Sequence, residues 1–542
     1  MADFGEILRA VGDFGLFQKL LLFGLCFPNL LLPFHLASLI FNQADTGHHC
    51  NTDWILKIDA NLSIEEQLNL TVPRLQDGSF SNCEMFIPVD WDISAIREHG
   101  LNKTTSCTSG WVHYDSIYES TIITDFDLVC ENGNAVGLAQ TIFMAGILVG
   151  SLLFGPFVES LGRQRATQIP VVLMLIFTVV TGLSPNFYVY LVSQFIVGIS
   201  YGGFRVNCIV LATEWIGVKT RSYAACGTQA LGGVGQAVLA GIIYFVRNWR
   251  IAQFVMAAPI AVVACYIWFV PESARWLLDR GKTEEAKKLI LKAAAINKRT
   301  IPDSILMKVT NDKPVERGGI KSLFASPILR RYFLYLTFGW CALNLSYFCL
   351  SLNVGKFGLD IFVTQLIFGL TEVPAHLLCI WLLEVAGRKL SLICTLLLGG
   401  FVCLLILAVP QDGAIAITAL ATAGRFLMNW AGSVCNIYVQ ELFPTSIRQT
   451  AAGLGATATR VAGMLSPPLN LLEVYHWTIP TLVFSTLSLI GGALAFLLPE
   501  TRCKELPDST EEAEGRRKGD ILKKIETGPA NEKCKGPKAT KL

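Results

Sequence analysis

Arg460 stands in the middle of an apolar run, Ala-Thr-Ala-Thr-Arg460-Val-Ala-Gly-Met-Leu-Ser-Pro. A guanidinium keeps its charge in proteins and can hold a carboxylate through two parallel hydrogen bonds. In a medium of low dielectric constant that attraction is far stronger than in water. The chemistry open to Arg460 is therefore capture of an anion, or a structural ion pair within the fold. Arg205 has a similar setting in Tyr201-Gly-Gly-Phe-Arg205-Val-Asn207. There it would add positive potential if it faces a cavity, or else pack and snorkel. Glu372 and His376 are four residues apart and share one helix face. Histidine at that place could make binding pH-dependent near neutrality, or could hydrogen-bond to Glu372. Asn29, His35 and Gln236, in further apolar runs, could supply hydrogen bonds to a small molecule. No nucleophile–base arrangement, phosphate loop or metal-ligand spacing occurs in a suitable context, so no enzyme, cofactor or metal is expected.

A second set of charges recurs in order along the chain. Gly155-x3-Glu159-x2-Gly162-Arg163 returns as Glu384-x2-Gly387-Arg388, Glu214-x6-Arg221 as Glu441-x6-Arg448, and Pro271-Glu272-Ser as Pro499-Glu500-Thr. The offset is close to 225 residues, as between Arg163 and Arg388, which marks an internal duplication. With Arg275 and Arg425, these charges are expected at helix ends on one face. Paired charges there can latch two bundles together and part when the bundles rock; otherwise they fix topology and cap helices.

The elements that must carry these residues are membrane spans. Hydrophobic residues make up 52% of the 542 residues, charged residues only 16%, and the mean hydropathy is +0.49. Apolar runs of roughly 20 residues recur, each long enough to cross about 30 Å of hydrocarbon. Twelve spans are expected near 16–41, 135–157, 169–184, 187–213, 225–246, 251–270, 332–352, 361–383, 389–409, 414–439, 449–472 and 477–498. They read as helices, being too uniformly apolar for alternating barrel strands. Glycine-rich pieces such as Gly198-x3-Gly202-Gly203 and Gly232-Gly233-x-Gly235 suit close helix packing. The N-terminal residues 1–15 lack a signal-peptide shape, so the first span is expected to be a retained signal anchor.

Lys and Arg gather in the connections on one side, in the 271–331 linker and in the 499–542 tail, which makes that side cytoplasmic and places both termini inside. Arg247 and Arg250 are exceptions on the other side. The 42–134 loop there is acidic and polar, with sequons at Asn61, Asn69 and Asn102 for glycans. It also holds Cys50, Cys83, Cys107 and Cys130, enough for two disulfides in any of three connectivities. Residues from Thr283 read as an amphipathic helix in the linker that divides 16–270 from 332–498. The tail is expected to be disordered and ends Thr540-Lys-Leu542, a pattern that would suit a PDZ groove. A net charge of +2 without a basic, aromatic-interleaved patch points to no nucleic acid partner.

The duplicated motifs, the Pro-Glu-Ser-Ala-Arg-Trp276 stretch, and the loop ending Cys107-x2-Gly-Trp111 … Asp125-Phe-Asp-Leu-Val-Cys130 together resemble the major facilitator superfamily. More narrowly they resemble solute carrier family 22, the organic cation, anion and zwitterion transporters. Glu441-Leu-Phe-Pro-Thr-x-Ile-Arg448-Gln-Thr adds to that likeness. Two positions depart from it: Glu159-Ser160 stands where Asp-Arg is usual, and Gln194 where Arg is usual, which weakens the first-half latch. The resemblance implies two six-helix halves, with Asp at the Arg460 position in cation carriers and Arg in anion carriers. It implies a cavity lined by Tyr347, Phe348 and Tyr438. It also makes His376 a departure, since the anion branch often has a base there. Phe357-Gly-Leu-Asp360 … Thr364 suggests the nicotinate- and urate-handling member. The expected protein is thus an all-α plasma-membrane carrier exchanging small organic anions for a counter-anion across the lipid bilayer. A cation or zwitterion carrier of the same fold, or a non-transporting receptor or scaffold, are the competing expectations.

Overall fold

The computed structural model describes residues 4–501 apart from 13, 43–46, 76–77, 115–117, 217, 303–319, 354–358 and 411–412. Among them are twelve long helices: α1 (Leu16–Asn42), α2 (Asn134–Leu161), α3 (Arg163–Gly182), α4 (Phe187–Trp215), α5 (Val218–Phe245), α6 (Trp249–Tyr266), α7 (Pro327–Leu352), α8 (Ile361–Ala386), α9 (Arg388–Ala408), α10 (Ala414–Leu442), α11 (Thr445–Leu471) and α12 (Thr478–Ala495). Ten are long and apolar enough to cross a bilayer. The other two, α10 and α11, carry Arg425, Asn429 and Arg460 inside the run, which lowers their hydropathy.

Side chains fix where several helices start. Asn186 accepts from the Val189 amide at 3.0 Å and opens α4, and Asn248 and Asp360 do the same for α6 and α8. Ser326 caps α7, whose first residue is Pro327, so this span begins before the expected 332. Glycines let α2 and α4 touch along their backbones: a β-carbon on Gly150 would strike the Ile199 carbonyl, and one on Gly202 the Ile147 carbonyl.

The two halves have separate apolar cores. One gathers Phe34, Tyr201, Phe204, Trp215 and Ile260; the other gathers Trp340, Leu396, Met428, Val434 and Phe443. They meet at the end that bears the 42–134 loop. There Phe362 of α8 lies against Phe41 of α1, Tyr118 and Tyr244 of α5, with ring centroids 5.5, 5.9 and 5.6 Å away. Gly369 of α8 abuts Gly233 and Ala237 of α5, and Gly137 of α2 abuts Leu471 of α11.

In the loop, β1 (Gly47–Cys50) pairs antiparallel with β4 (Trp111–Tyr114), and β2 (Glu84–Phe86) with β3 (Thr104–Ser106). Disulfides Cys50–Cys107 and Cys83–Cys130 select one of the three connectivities. Asn61, Asn69 and Asn102 are exposed, as glycan acceptors would need to be. Arg250 loses its exceptional status: its Nε lies 3.0 Å from Asp125 of the loop, so its charge is met locally. At the opposite end, the linker helix Thr283–Ile296 buries Ala286, Ile290 and Ala293, as its amphipathic pattern requires. Asn297 then ties the linker to α1, accepting from the Phe17 amide at 2.8 Å. Residues 502–542, including the terminal Thr540-Lys-Leu542, lie outside the described residues.

Candidate functional site

The duplicated charges form the same clip twice at the linker end. Gly162 and Gly387, at φ of 95° and 86°, break the chain between paired helices. The residue after each is the arginine of its clip. Arg163 lies 3.2 Å from Glu214, and Arg388 lies 2.7 Å from Glu441. Glu272 accepts from the Arg163 amide at 2.8 Å, as Glu500 does from the Arg388 amide at 3.0 Å. Burial lifts Glu272 above the ordinary carboxylate range, and the amides of Ser273, Gln164 and Arg163 draw it back. Each of these pairs closes within its own half, not between halves. Arg448 donates to the Phe443 carbonyl at 3.2 Å, also locally, and Arg275 is exposed. The side chains of Glu159, Arg221 and Glu384 lie outside the described residues.

Between the halves lies a cavity of about 210 Å³, smaller than the ~300–1,000 Å³ usual for drug-sized ligands. Asn29 and Leu36 of α1, Arg205 of α4, Gln236 of α5, Tyr347 and Phe348 of α7, Glu372 and His376 of α8, and Arg425 and Asn429 of α10 are on its wall. Of the expected residues, Asn29, Arg205, Gln236, Tyr347, Phe348, Glu372 and His376 are thus brought together. His35 is buried but does not line the cavity.

Three expectations are corrected. Arg425 is not an end charge; it sits deep in α10, with 3% of its surface exposed. A guanidinium so buried needs a carboxylate, and Glu372 supplies it at 2.6 Å. The same nitrogen donates to the Tyr347 hydroxyl at 2.7 Å and to Gln236 at 2.9 Å, and Arg425 Nε donates to Ser351 at 2.9 Å. Tyr347 in turn donates to Glu372 at 2.6 Å. The second correction is Tyr438, which is fully buried and donates to the Pro499 carbonyl. It follows Ala431, Val434 and Cys435 on the α10 face turned to the core, and so misses the cavity.

His376 does not bond to Glu372. Its Nδ1 is 3.0 Å from the Ser433 hydroxyl and its Nε2 is 3.3 Å from Asn429. The third correction is Arg460, which is half-buried and not on the cavity wall; it lies within Coulombic reach of Arg205 and Tyr201. Phe348, on the cavity wall, packs on Gly463 one turn along α11 from Arg460. Sequence reading missed Gln365, whose carboxamide oxygen accepts from Gln236 at 2.5 Å, and Ser351. The available signal for Gln365 was a polar residue within an apolar span.

A central cavity between two duplicated six-helix halves is the architecture of a membrane transporter. The family model "Sugar (and other) transporter" matches residues 93–512. The fold resembles a major facilitator superfamily proton:xylose symporter with a TM-score of 0.60 at 17% identity, over 92% of this chain and 99% of that one. Solute carrier family 22 member 13 of Homo sapiens is 38% identical, covering 95% of this chain and 94% of its own. Member 14 of Mus musculus is 35% identical over 94% and 80%, and member 6 of Oryctolagus cuniculus 32% over 95% of each. The chain belongs to solute carrier family 22, as a multi-pass membrane transporter and not an enzyme.

Proposed function

We propose that this transporter carries small organic anions across the plasma membrane by alternating access, exchanging them for a counter-anion. One observation carries the reading: Glu372, the acid on the cavity wall, is already neutralised by Arg425. Arg205 stands on the cavity wall and Arg460 within its electrostatic reach, and no ion pair with a carboxylate is seen for either among the described residues. The protein therefore offers net positive charge to its ligand, which favours an anion over the cation or zwitterion alternative. Tyr347 and Phe348 supply the apolar surface that a nicotinate- or urate-like ring would need.

The disulfide-bearing loop belongs outside, and the linker with both termini inside. Phe362 closes the loop end, against Phe41 and Tyr244. Arg460 holds the substrate carboxylate once the halves rearrange about it, and an occupied site eases rocking because its charge is neutralised.

Radiolabelled uptake of nicotinate and of a quaternary ammonium tests this, in cells bearing the native chain and Arg460→Asp. Loss of nicotinate uptake with surface expression intact is expected. Nicotinate uptake unchanged by Arg460→Asp would make Arg460 structural. Quaternary ammonium uptake that persists in the variant would favour the cation carrier.

A further inference from the structure

Two disulfides brace the 42–134 loop, and their surroundings differ. Cys50 is wholly enclosed, whereas neither Cys83 nor Cys130 is buried. A thiol that opened Cys50–Cys107 at Cys107 would have to leave a thiolate on Cys50, out of contact with water, which burial disfavours. Cys83–Cys130 carries no such penalty. It also has a neighbour suited to exchange, since His48 Nε2 lies 3.8 Å from Cys130 Sγ, within hydrogen-bond reach of a sulfur. The ribbon holds that imidazole in place: His48 of β1 is buried and faces His113 of β4, whose Nε2 is 3.2 Å from Asp127. Cys130 itself holds a left-handed φ of 55°, uncommon outside glycine, so the bond is attached to backbone that gains by release. It opens the short turn Cys130–Asn132 that leads into α2. The crosslink therefore ties the loop to the helix that meets the other half at Gly137 and Leu471.

The geometry points to Cys83–Cys130 as a thiol-exchange site, taking a small external thiol onto Cys83 with Cys130 as the leaving sulfur and His48 assisting its departure. The external thiolate attacks Cys83 Sγ, the S–S bond breaks, and its electron pair passes to Cys130 Sγ. There the His48 Nε2–H donates a hydrogen bond to the developing thiolate, which makes it a better leaving group. A proton from water completes the Cys130 thiol. A second external thiolate then attacks the small thiol's sulfur in the mixed disulfide and frees Cys83. The sum is one protein disulfide reduced to two thiols, and two small thiols oxidised to their disulfide. The site acts whatever solute is carried, and opening it unties the loop from α2.

The test exposes the purified full-length protein, its free thiols first blocked with N-ethylmaleimide, to glutathione for a series of short times. A second maleimide of different mass traps the freed sulfur, and peptide mass spectrometry locates both adducts. Glutathione is expected on Cys83 over Cys130 by about 10-fold, with the second maleimide on Cys130, and about 10-fold sooner than on Cys50 or Cys107. His48→Leu, which removes the donor, is expected to slow the exchange by about 10-fold and to divide glutathione between Cys83 and Cys130. A variant that merely loosened the ribbon would expose the bond and react faster. Equal labelling of Cys83 and Cys130 in the native chain, or earlier opening of Cys50–Cys107, overturns the inference, and neither measurement needs a variant to fold. An exchange unchanged or quickened in His48→Leu overturns it as well.

Discussion

Arg425 and Glu372 hold each other in a place where neither charge could stand alone. Their side chains are 4% and 12% exposed, and Tyr347, Ser351 and Gln236 complete the shell around them. Removing one partner of such a pair strands the other, at a cost of about 3–5 kcal/mol. Arg425→Met should therefore lower the melting temperature of the purified protein sharply, and Arg425→Met with Glu372→Met should recover most of the loss. A double variant no more stable than the single would show that the pair is not what these residues contribute. At this scale the sequence was read well where type alone decides: mid-span Arg205, Glu372 and His376 do reach one cavity. It was read poorly where partner and depth decide. Arg425 was grouped with the end charges, although its place within the 414–439 run marked it as buried. Tyr438 was misplaced because an aromatic residue fits a cavity wall and a core equally well.

The elements were more legible, since hydropathy, caps and glycine punctuation all act locally. The spans near 187–213 and 361–383 became Phe187–Trp215 and Ile361–Ala386, and the repeated clip motifs became two like sets of hydrogen bonds. Disulfide pairing was not legible, because it depends on which strands the loop brings together. That same ribbon carries a titration. His49 of β1 sits below its ordinary pKa of 6.5, chiefly through burial, with His48 and His113 adding to the shift and Asp53 opposing it. A depressed histidine favours the folded ribbon above about pH 6.5, and that contribution is lost as pH falls through the folded value. Hydrogen exchange, corrected for intrinsic rates, should show β1 and β4 losing protection between about pH 7 and 5, and His49→Gln should flatten the dependence. Equal pH dependence in the variant would assign the effect to another group.

Among the described residues, the two halves touch at the loop end. Duplication made the halves visible in the sequence, but not which end would be closed, since both ends of such a carrier close in turn. The seal depends on bare backbone contact at Gly369, where a β-carbon would come within 2.6 Å of the Gly233 carbonyl and the Ala237 nitrogen. Gly369→Leu should therefore prop the loop end apart. Labelling of Ala37→Cys on the cavity wall by an impermeant maleimide should rise by about 10-fold from the loop side. Unchanged labelling would show that α5 and α8 do not gate that end.

The polar tie across the closed end is modest. Gln236 reaches from one half to Arg425 and Gln365 of the other through two hydrogen bonds. At about 0.5–1.5 kcal/mol net for each, they bias the halves by about 1–3 kcal/mol, or about 5- to 150-fold. Thermal agitation overcomes a polar bias of that size. For a carrier that rocks as proposed, net flow follows the solute gradients and reverses with them.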